Sequence, residues 1–360
     1  MNAGFSIEKV RNTPMFFILG RPRTGSTMLR MLFDAHPNVI IPQEWPMLLL
    51  LHLQFGKVTN WDKPTLEKFY QALFLPLRMP YWAIRNWPGI DPELLHRNIL
   101  ACEGKHSLET LLKVVYFHYN SFFEKKEMLL FGDKNPAIST HPELLARIFP
   151  TAKFIHLVRD YRDNLVSLLG VDFEMPNVTL LTYRWKYLYS LIEKAAAAHP
   201  GRFFTIRYED FVQQPEFHFS RLCSFLNLPK APGIFDFHQK KEVLESTFST
   251  EITKKYFSSL MQPIDTSKVG VYKSKLSIRQ IRIADLVAGN TASTAGYQRD
   301  FTRFSILEYC WVAPAILYTR WLYLIGKALK LLPFRWMLWL VNKPSVVVRV
   351  YAWLVGLKKS

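Results

Sequence analysis

An apolar run that breaks into a basic loop bounded by two glycines most constrains what this chain can fold into. The apolar run covers residues 16–19, and the loop from Gly20 to Gly25 reads Gly-Arg-Pro-Arg-Thr-Gly. A segment of helix-forming residues then begins at Ser26. A loop that joins a buried strand to a helix N-terminus directs backbone N–H groups at an anion. We therefore predict a phosphate-binding loop here.

The same loop departs from the motif that binds ATP. Gly20 and Gly25 have the spacing of the two glycines in a P-loop, and Thr27 stands at the position of its hydroxyl. Ser26 occupies the position of the P-loop lysine, while the basic residue Arg23 lies inside the loop. Without that lysine, the loop is poorly suited to hold the β- and γ-phosphates of ATP beside magnesium. We expect it to bind the 5′-phosphate of another nucleotide.

A second segment offers a site for a terminal phosphate. The strand-like run Lys153–Val158 is followed by Arg159, and Ser167 stands eight residues later. A terminal phosphate carries about two charges, and a planar guanidinium with a hydroxyl from the next helix can satisfy several of its oxygens. Together, the loop and this segment resemble the 5′-phosphosulfate loop and the 3′-phosphate segment of sulfotransferases. That family uses 3′-phosphoadenosine-5′-phosphosulfate (PAPS) as its donor.

The resemblance also implies catalytic residues, and it is closest in motif to the branch that sulfates protein tyrosines and carbohydrates. In that branch an Asp-Ala-His-Pro element, here residues 34–37, leads to a glutamate that serves as base, and Glu44 is the match. Gln43 stands where that branch can carry a second acid. Arg23 has the position of a cation that contacts the 5′-phosphate and the sulfuryl oxygens. Lys134 matches a lysine that contacts the transferring group.

Each of these residues also has a simpler interpretation. Glu44 could form an ordinary salt bridge or cap a helix, and Arg23 could bind phosphate alone. Lys134 could be a solvated loop charge. We expect His36 to be structural, because a histidine at a helix end more often binds carbonyl groups than transfers protons.

Later positions complete the nucleotide site that the resemblance implies. Tyr208 would meet the adenine, or would be a core aromatic at a strand end. Lys268 and Lys273 would close a basic loop over the 3′-phosphate, or would be solvated. No H-x-x-H or D-x-D cluster suggests metal ligands, so we expect no metal. The implied cofactor-binding set is Arg21, Arg23, Thr24, Gly25, Ser26, Thr27, Arg159, Ser167, Tyr208, Lys268 and Lys273.

Strand-like and helical segments alternate as is typical of an α/β fold, a parallel sheet flanked by helices. The strands are predicted at Met15–Leu19, 129–131, Lys153–Val158 and 203–206. Helices are predicted at 27–34, 142–149 and Pro215–Leu226, the last two with proline in the first turn. Ser277 and Gln280 have the spacing of a capping box at a further helix start.

The chain is predicted to divide into a sulfotransferase domain and a C-terminal extension. Residues 1–290 would form the domain, and their aromatic-rich part at 45–127, with breaks near Pro76 and Pro88, would be a helical insertion on the acceptor side. A polar linker at 288–298 would lead to an amphipathic helical extension at 300–360.

Charge and tryptophan content favour a membrane surface as the partner of this extension. Lys plus Arg exceed Asp plus Glu by 46 to 29, a net charge of +17, which favours polyanionic partners. Residues 303–360 hold nine Lys or Arg, one acid and five of the ten tryptophans. Their longest uncharged stretch, 309–319, is too short to span a bilayer, which needs about 20 apolar residues. We expect the extension to lie on an anionic membrane rather than bind nucleic acid. The alternative is a helical subdomain packed on the enzyme, or an oligomer interface.

Cysteine usage and the first residues indicate a cytoplasmic protein. Cys102, Cys223 and Cys310 lie far apart without a C-x-x-C pair, which suggests neither a zinc site nor a disulfide framework. No signal peptide is recognisable before Phe16. We therefore expect a cytoplasmic enzyme, peripheral on the inner face of the membrane.

The resemblance predicts a PAPS-dependent sulfotransferase, and the acceptor is the open question. An aromatic-rich insertion and a membrane-bound extension favour an apolar alcohol such as a sterol, a bile acid or a lipid. A glycan or a protein tyrosine is the alternative, favoured by Glu44 and Lys134. A nucleotide kinase would require the lysine that Ser26 replaces. A non-catalytic membrane adaptor would not need the whole set of predicted site residues.

Overall fold

A parallel sheet forms the centre of the computed structural model, which describes residues 5–45, 47–75, 84–171, 173–239, 258–329 and 336. The strands are β1 Met15–Leu19, β2 Val39–Ile40, β3 Asn60–Trp61, β4 Gly104–Lys105, β5 Leu130–Lys134, β6 Lys153–Val158 and β7 Phe203–Arg207. Five of them form the sheet in the order β2, β5, β1, β6, β7, with every neighbouring pair parallel. Strands β3 and β4 form a separate antiparallel pair.

Strand β1 occupies the middle of this sheet and is buried along its whole length. Ile18 lies opposite Lys134 of β5 on one side, and Leu19 lies opposite His156 of β6 on the other. Strands β2 and β5, which follow β1 in the chain, lie on one side of it, and the later strands β6 and β7 lie on the other. Ligands of open α/β sheets bind at the carboxyl ends of the strands where the strand order reverses in this way. The loop after β1 lies at that point.

Helices cover both faces of the sheet. Because side chains alternate along a strand, Phe17 of β1 packs among residues of the insertion, whereas Phe16 and Ile18 pack on the opposite face. The helices are α1 Ile7–Asn12, α2 Ser26–Ala35, α3 Met47–Phe55, α4 Lys63–Leu73, α5 Pro92–Leu100, α6 Leu108–Phe117, α7 Pro142–Ile148, α8 Tyr161–Leu169, α9 Val178–Ala198, α10 Tyr208–Gln213, α11 Pro215–Leu226, α12 Tyr272–Lys275, α13 Ile278–Ala288, α14 Asn290–Thr294 and α15 Ile306–Leu329. The predicted α/β class is confirmed.

Most predicted element bounds agree with the structure to within a residue or two. Strands β1 and β6 and helix α11 have the predicted bounds, α2 is one residue longer at each end, and α7 ends one residue earlier. Strand β5 begins one residue later than predicted and extends to Lys134, which places that lysine on the strand itself. The capping box is confirmed, because the Ser277 and Gln280 side chains each accept from the other's backbone N–H.

Within residues 45–127, the described residues form helices α3 to α6 and the short β3–β4 pair. Asp62, Asp91 and Ser107 cap the N-termini of α4, α5 and α6 with their side chains. The predicted break near Pro76 lies outside the described residues. The role of this insertion on the acceptor side stays a prediction.

The prediction of a polar linker at 288–298 was wrong. Helix α14 lies inside this stretch, and Ala288, Ala292, Ala295 and Tyr297 are buried in one cluster with residues of α8 and α9. The polar residues of the stretch are turned outward, and its alanines and tyrosine pack inward. A count of polar residues could not distinguish such a segment from a linker.

Of the predicted extension at 300–360, the structure describes residues 300–329 and 336, and helix α15 forms most of this part. It packs against α9 and α13, and it buries Val312 and Thr319. The helix continues through Pro314. Among the described residues, no helix is long and apolar enough to cross a bilayer.

Replacing Tyr297 with Phe should destabilise the protein. The Tyr297 hydroxyl donates to Glu209 at 2.8 Å, and the other carboxylate oxygen of Glu209 accepts from the backbone N–H of Asp160 at 2.9 Å. Burial already raises the pKa of Glu209, so loss of one donor should lower the free energy of unfolding by about 1–3 kcal/mol. Urea unfolding would measure this. Tyr309→Phe, at a residue that is 55% exposed, is the control, and equal losses in the two variants would contradict the prediction.

Candidate active site

Close packing fixes the path of the loop after β1. A Cβ atom on Gly20 would lie 2.7 Å from the carbonyl oxygen of Leu157, so only glycine allows the chain to pass β6 at this distance. Arg23 and Gly25 have φ values of 69° and 91° in the left-handed region. Thr24 Oγ1 donates to the carbonyl of Arg21 at 2.8 Å and closes the turn. Gly25 then serves as the N-cap of α2, so the loop leads directly to the helix N-terminus.

Four of the predicted nucleotide-binding residues meet at the carboxyl end of β6. The Arg159 guanidinium donates through Nη1 to the Arg23 carbonyl at 3.1 Å and lies 4.6 Å from the ring centroid of Tyr208. Arg23 Nε donates to Ser167 Oγ at 3.1 Å. Arg159 is 6% exposed, and its Nε has no hydrogen-bond partner among the described residues. A buried, unpartnered guanidinium N–H is a ready donor for a phosphate oxygen.

Tyr208 lies beneath the loop as well as beside Arg159. A Cβ atom on Gly25 would be 2.7 Å from its ring. Tyr208 is the first residue of α10, directly after β7, and is buried. Tyr208 can therefore be a core aromatic residue and still lie at the site. Its contact with adenine stays a prediction.

The predicted catalytic pair lies at the end of β5. Lys134 Nζ donates to Thr27 Oγ1 at 3.2 Å and forms an ion pair with the Glu44 carboxylate. The Lys134 side chain is only 2% exposed, whereas that of Glu44 is 27% exposed. Burial lowers the pKa of Lys134, and the charge of Glu44 opposes this shift. The alternative of a solvated Lys134 is therefore wrong. Glu44 does form a salt bridge, but its partner is the other predicted catalytic residue.

A buried carboxyl group beside this pair was not predicted from the sequence. Asp133 precedes Lys134 on β5, is 2% exposed, and accepts a hydrogen bond from the hydroxyl of Tyr116 in α6. Burial raises the pKa of Asp133 to about 7. The acidic residue within Phe131-Gly132-Asp133-Lys134 was visible in the sequence, but its tyrosine partner lies 17 residues away in the insertion.

A second missed residue, Asp163, anchors the loop that contains Lys268 and Gly270. Its carboxylate accepts from the backbone N–H of Gly270 at 2.7 Å and of Tyr272 at 2.9 Å. Arg159 Nη2 donates to the carbonyl of Lys268 in the same loop at 2.6 Å. The loop is thus bound to the helix that carries Ser167. The sequence did contain a signal for this role. Asp163 lies between Arg159 and Ser167, where an acid has no obvious use beside a phosphate.

The remaining predicted residues lie less directly at the site. Lys268 reaches it through its backbone carbonyl, whereas Lys273 lies in α12 with an exposed side chain, and phosphate contacts of both lysines stay predictions. The Arg21 guanidinium is buried, donates to the carbonyl of Leu181 in α9 and lies 3.7 Å from Glu174. Burial lowers the pKa of Arg21 to about 10. We expect Arg21 to meet a nucleotide through its backbone.

His36 has the structural role that was predicted. Its Nδ1 accepts from the backbone N–H of Asn38 at 3.2 Å, so Nε2 carries the proton and donates to the Pro229 carbonyl at 2.9 Å. Within the described residues, no group of three or more His, Cys, Asp or Glu side chains is placed to hold a metal ion. The expectation of a metal-free site stays a prediction.

Comparison with known proteins gives one family. A model described as "Sulfotransferase family" matches residues 14–232. Protein-tyrosine sulfotransferase 1 of Danio rerio is 26% identical over 226 residues, which are 61% of this chain and 54% of that protein. Omega-hydroxy-beta-dihydromenaquinone-9 sulfotransferase Stf3 of Mycobacterium tuberculosis (strain CDC 1551 / Oshkosh) is 27% identical over 259 residues, which are 61% of this chain and 64% of that protein. The chain thus spans between half and two thirds of the length of these two relatives.

A solved structure is also similar. The sulfotransferase domain from the curacin biosynthetic pathway is 23% identical, with a TM-score of 0.45 over 79% of this chain and 98% of that chain.

The geometry predicts that Asp163→Asn loosens the basic loop. An asparagine can accept only one of the two N–H groups and turns its own N–H₂ toward the other. The amides of Gly270 and Tyr272 should then exchange hydrogen faster, and affinity for adenosine 3′,5′-bisphosphate should fall about tenfold, or ~1.4 kcal/mol. Hydrogen exchange and calorimetry would measure the two effects. The exposed Asp236→Asn is the matched control, and unchanged exchange at residues 270 and 272 would refute the proposed anchor.

Proposed function

Because the chain belongs to the sulfotransferase family, whose model matches residues 14–232, we propose that it transfers a sulfuryl group from PAPS to the hydroxyl of an apolar acceptor. The observation that carries the proposal is the arrangement along one edge of the sheet. The phosphate loop lies after β1, the Lys134–Glu44 pair lies at β5, and Arg159 lies after β6. The loop thus lies between the Lys134–Glu44 pair on one side and Arg159 on the other.

The nucleotide is held at both of its phosphate ends. The loop N–H groups at the start of α2 bind the 5′-phosphate. The unpartnered Nε of Arg159, with the hydroxyl of Ser167, binds the 3′-phosphate. Ser167 Oγ already accepts from Arg23 Nε, so its hydroxyl proton is free to be directed at a phosphate oxygen. Tyr208 meets the adenine, and the basic loop at Lys268 covers the 3′-phosphate.

The reaction needs one base and a neutralised leaving group. The acceptor oxygen attacks the sulfur in line, a new S–O bond forms, and the S–O bond to the 5′-phosphate breaks. Glu44 takes the acceptor proton. Lys134 and Arg23 stabilise the charge that grows on the departing phosphate oxygen and on the sulfuryl oxygens. A lysine suits this role because its ammonium is a compact charge that follows the leaving oxygen.

The acceptor is an apolar alcohol such as a sterol, a bile acid or a lipid. Trp45 directly follows Glu44, and its ring centroid lies 5.7 Å from that of Trp87 and 5.9 Å from that of Tyr116. These three rings are buried in the core, so the cluster keeps water from one side of the base. One similar protein is named for omega-hydroxy-beta-dihydromenaquinone-9, which supports an acceptor of this kind.

Two other functions have support of their own. The Glu44–Lys134 pair and the similarity to protein-tyrosine sulfotransferases favour a protein tyrosine, or a glycan, as the second candidate acceptor. A non-catalytic, membrane-bound nucleotide-binding adaptor is the candidate from another class. An adaptor would bind the nucleotide through Arg159 but would have no use for the base.

The proposal includes a cytoplasmic enzyme attached peripherally to an anionic membrane. Residues 303–360 hold nine basic residues against one acid, with half of the tryptophans, and an apolar alcohol is concentrated in the bilayer. Residues 330–335 and 337–360 lie outside the described residues. The case for attachment through them rests on composition.

Glu44→Gln and Arg159→Ala should separate chemistry from binding. Glu44→Gln should bind adenosine 3′,5′-bisphosphate as the wild type does and lose at least about 100-fold in kcat, because the base is absent. Arg159→Ala should lose nucleotide binding, because the 3′-phosphate loses a guanidinium. Calorimetry with the nucleotide and initial rates with labelled PAPS measure the two effects.

The pH dependence of activity in Glu44→Gln distinguishes two roles of Glu44. It could be the base that takes the acceptor proton, or a charge that only keeps Lys134 protonated. Removal of the Glu44 charge lets burial lower the pKa of Lys134 further. If Glu44 acts only through Lys134, lowering the pH of Glu44→Gln restores the ammonium and therefore the activity. Recovery at low pH would overturn the role of Glu44 as base, and loss at every pH supports it.

Transfer of ³⁵S from labelled PAPS into a total lipid extract tests the acceptor class. Label should partition into the organic phase with the wild type and should be absent with Glu44→Gln. Label transferred to an added glycan or tyrosine peptide, separated from unreacted PAPS, with none in the organic phase, would replace the apolar acceptor with the second candidate. Nucleotide binding without transfer to any of these acceptors would favour the adaptor.

A further inference from the structure

Helix α15 presents a row of large apolar side chains to solvent. Five of them recur every three to six residues on the side of the helix that is turned away from the protein, and they are between 45% and 80% exposed. We call this row the outer face, and it consists of Leu307, Trp311, Leu317, Trp321 and Leu324. An exposed apolar row of this size is unusual for a surface that faces only water.

The opposite side of α15 is fully engaged with the protein. Val312 and Thr319 are buried, and the ring of Tyr323 stacks on Tyr187 of α9 at 4.1 Å between centroids. Glu308, the only acid of the helix, accepts from Arg282 Nε of α13 at 2.9 Å. The orientation of the helix is therefore fixed, and its outer face carries no acidic residue.

Arginines border the outer face near both of its ends. The Arg279 guanidinium lies 4.7 Å from the ring centroid of Trp311 and is exposed. Toward the other end, Arg320 donates through Nε to the hydroxyl of Tyr183 at 2.8 Å and is also exposed. A groove of about 540 Å³ lies between α13 and α15, and Ile278, Leu286 and Leu307 are among the residues that line it. The groove gives an acyl chain a place beside Arg279.

We infer that the outer face of α15 docks on the surface of a bilayer that contains anionic lipid, with the helix lying in the plane of the membrane. Tryptophan rings at headgroup depth, apolar side chains below them and arginines toward lipid phosphates are the arrangement of an interfacial helix. The inference rests on the proposed function in that the bilayer is taken as the source of the apolar acceptor.

Charge distinguishes a bilayer from a second copy of this chain. Two copies that pair through this face about a two-fold axis would place the same arginines on both sides of one interface. Glu308 lines the groove, but both of its carboxylate oxygens accept from Arg282, so its charge is already balanced. Like charges across an interface oppose association. Anionic headgroups supply the missing counter-charge.

Vesicle sedimentation with the full chain tests the inference without PAPS or acceptor. The wild type should bind vesicles made of equal parts phosphatidylcholine and phosphatidylserine, less so at high salt, and should bind phosphatidylcholine vesicles weakly. Trp311→Glu and Trp321→Glu should each lower binding to the mixed vesicles about tenfold. Phe217→Glu is the matched control, because Phe217 is 56% exposed on α11 and makes the same change of charge. It should bind as the wild type does.

Three outcomes would overturn the inference. Unchanged binding of both tryptophan variants would place attachment elsewhere on the chain. Equal binding to the two vesicle types would remove the anionic lipid. Self-association of the wild type in sedimentation velocity that both variants abolish, without vesicle binding, would make the face an interface between copies.

A parallel measurement keeps this inference separate from the proposed function. Sulfation of a water-soluble short-chain alcohol by labelled PAPS, without vesicles, should be equal in the wild type and in Trp311→Glu. Vesicle binding that depends on the outer face, with no sulfation of any acceptor, would support docking and refute the enzyme. Sulfation without vesicle binding would support the enzyme and refute docking.

Discussion

The parallel pairing of β1 with both β5 and β6 is the constraint on which the site depends. Residues that are more than a hundred positions apart reach one edge of the sheet because their strands end there together. Gly20 makes the arrangement possible, since any side chain would meet the Leu157 carbonyl of β6. The loop then turns across the ends of its two neighbours. Lys134 of β5 and Arg159 after β6 flank it from either side.

Burial and charge have opposite effects on Lys134 at this end of the sheet. Burial alone would favour the neutral form of Lys134, and the Glu44 carboxylate opposes that preference. Since the Glu44 side chain is partly exposed and that of Lys134 is not, an acceptor would approach from the side of the carboxylate. Asp133 lies next to the pair, and because burial raises its pKa to about 7, it carries no full negative charge beside Glu44 below that pH. The ion pair thus places a partly exposed carboxylate beside a buried ammonium group.

The sequence could predict the parts of the site that are carried by short segments. Arg159 follows β6 and Ser167 lies in α8, the next helix, and Arg23 of the loop contacts both. The bounds of β1 and β6 followed from apolar runs. Tertiary contacts could not be predicted in this way. Asp163 binds backbone N–H groups 107 and 109 residues away, and an acid next to a phosphate site gives no sign of such a partner. The prediction of a linker at 288–298 was wrong for a related reason. The residues that this stretch buries are alanines and Tyr297, which a polar composition does not reveal.

The C-terminal helices belong to the same scaffold as the nucleotide site. Asp285 of α13 accepts from the hydroxyl of Tyr161 in α8 and from the backbone N–H of Phe301 at 2.8 Å. Helix α8 also carries Ser167, and α9 supplies both the Leu181 carbonyl that binds Arg21 and the Tyr187 ring that stacks on α15. Because buried, directional contacts join these elements, an orientation imposed on α15 is imposed on the phosphate loop as well. Under the proposed function, a surface that fixes the outer face of α15 would also fix the direction from which an acceptor reaches Glu44.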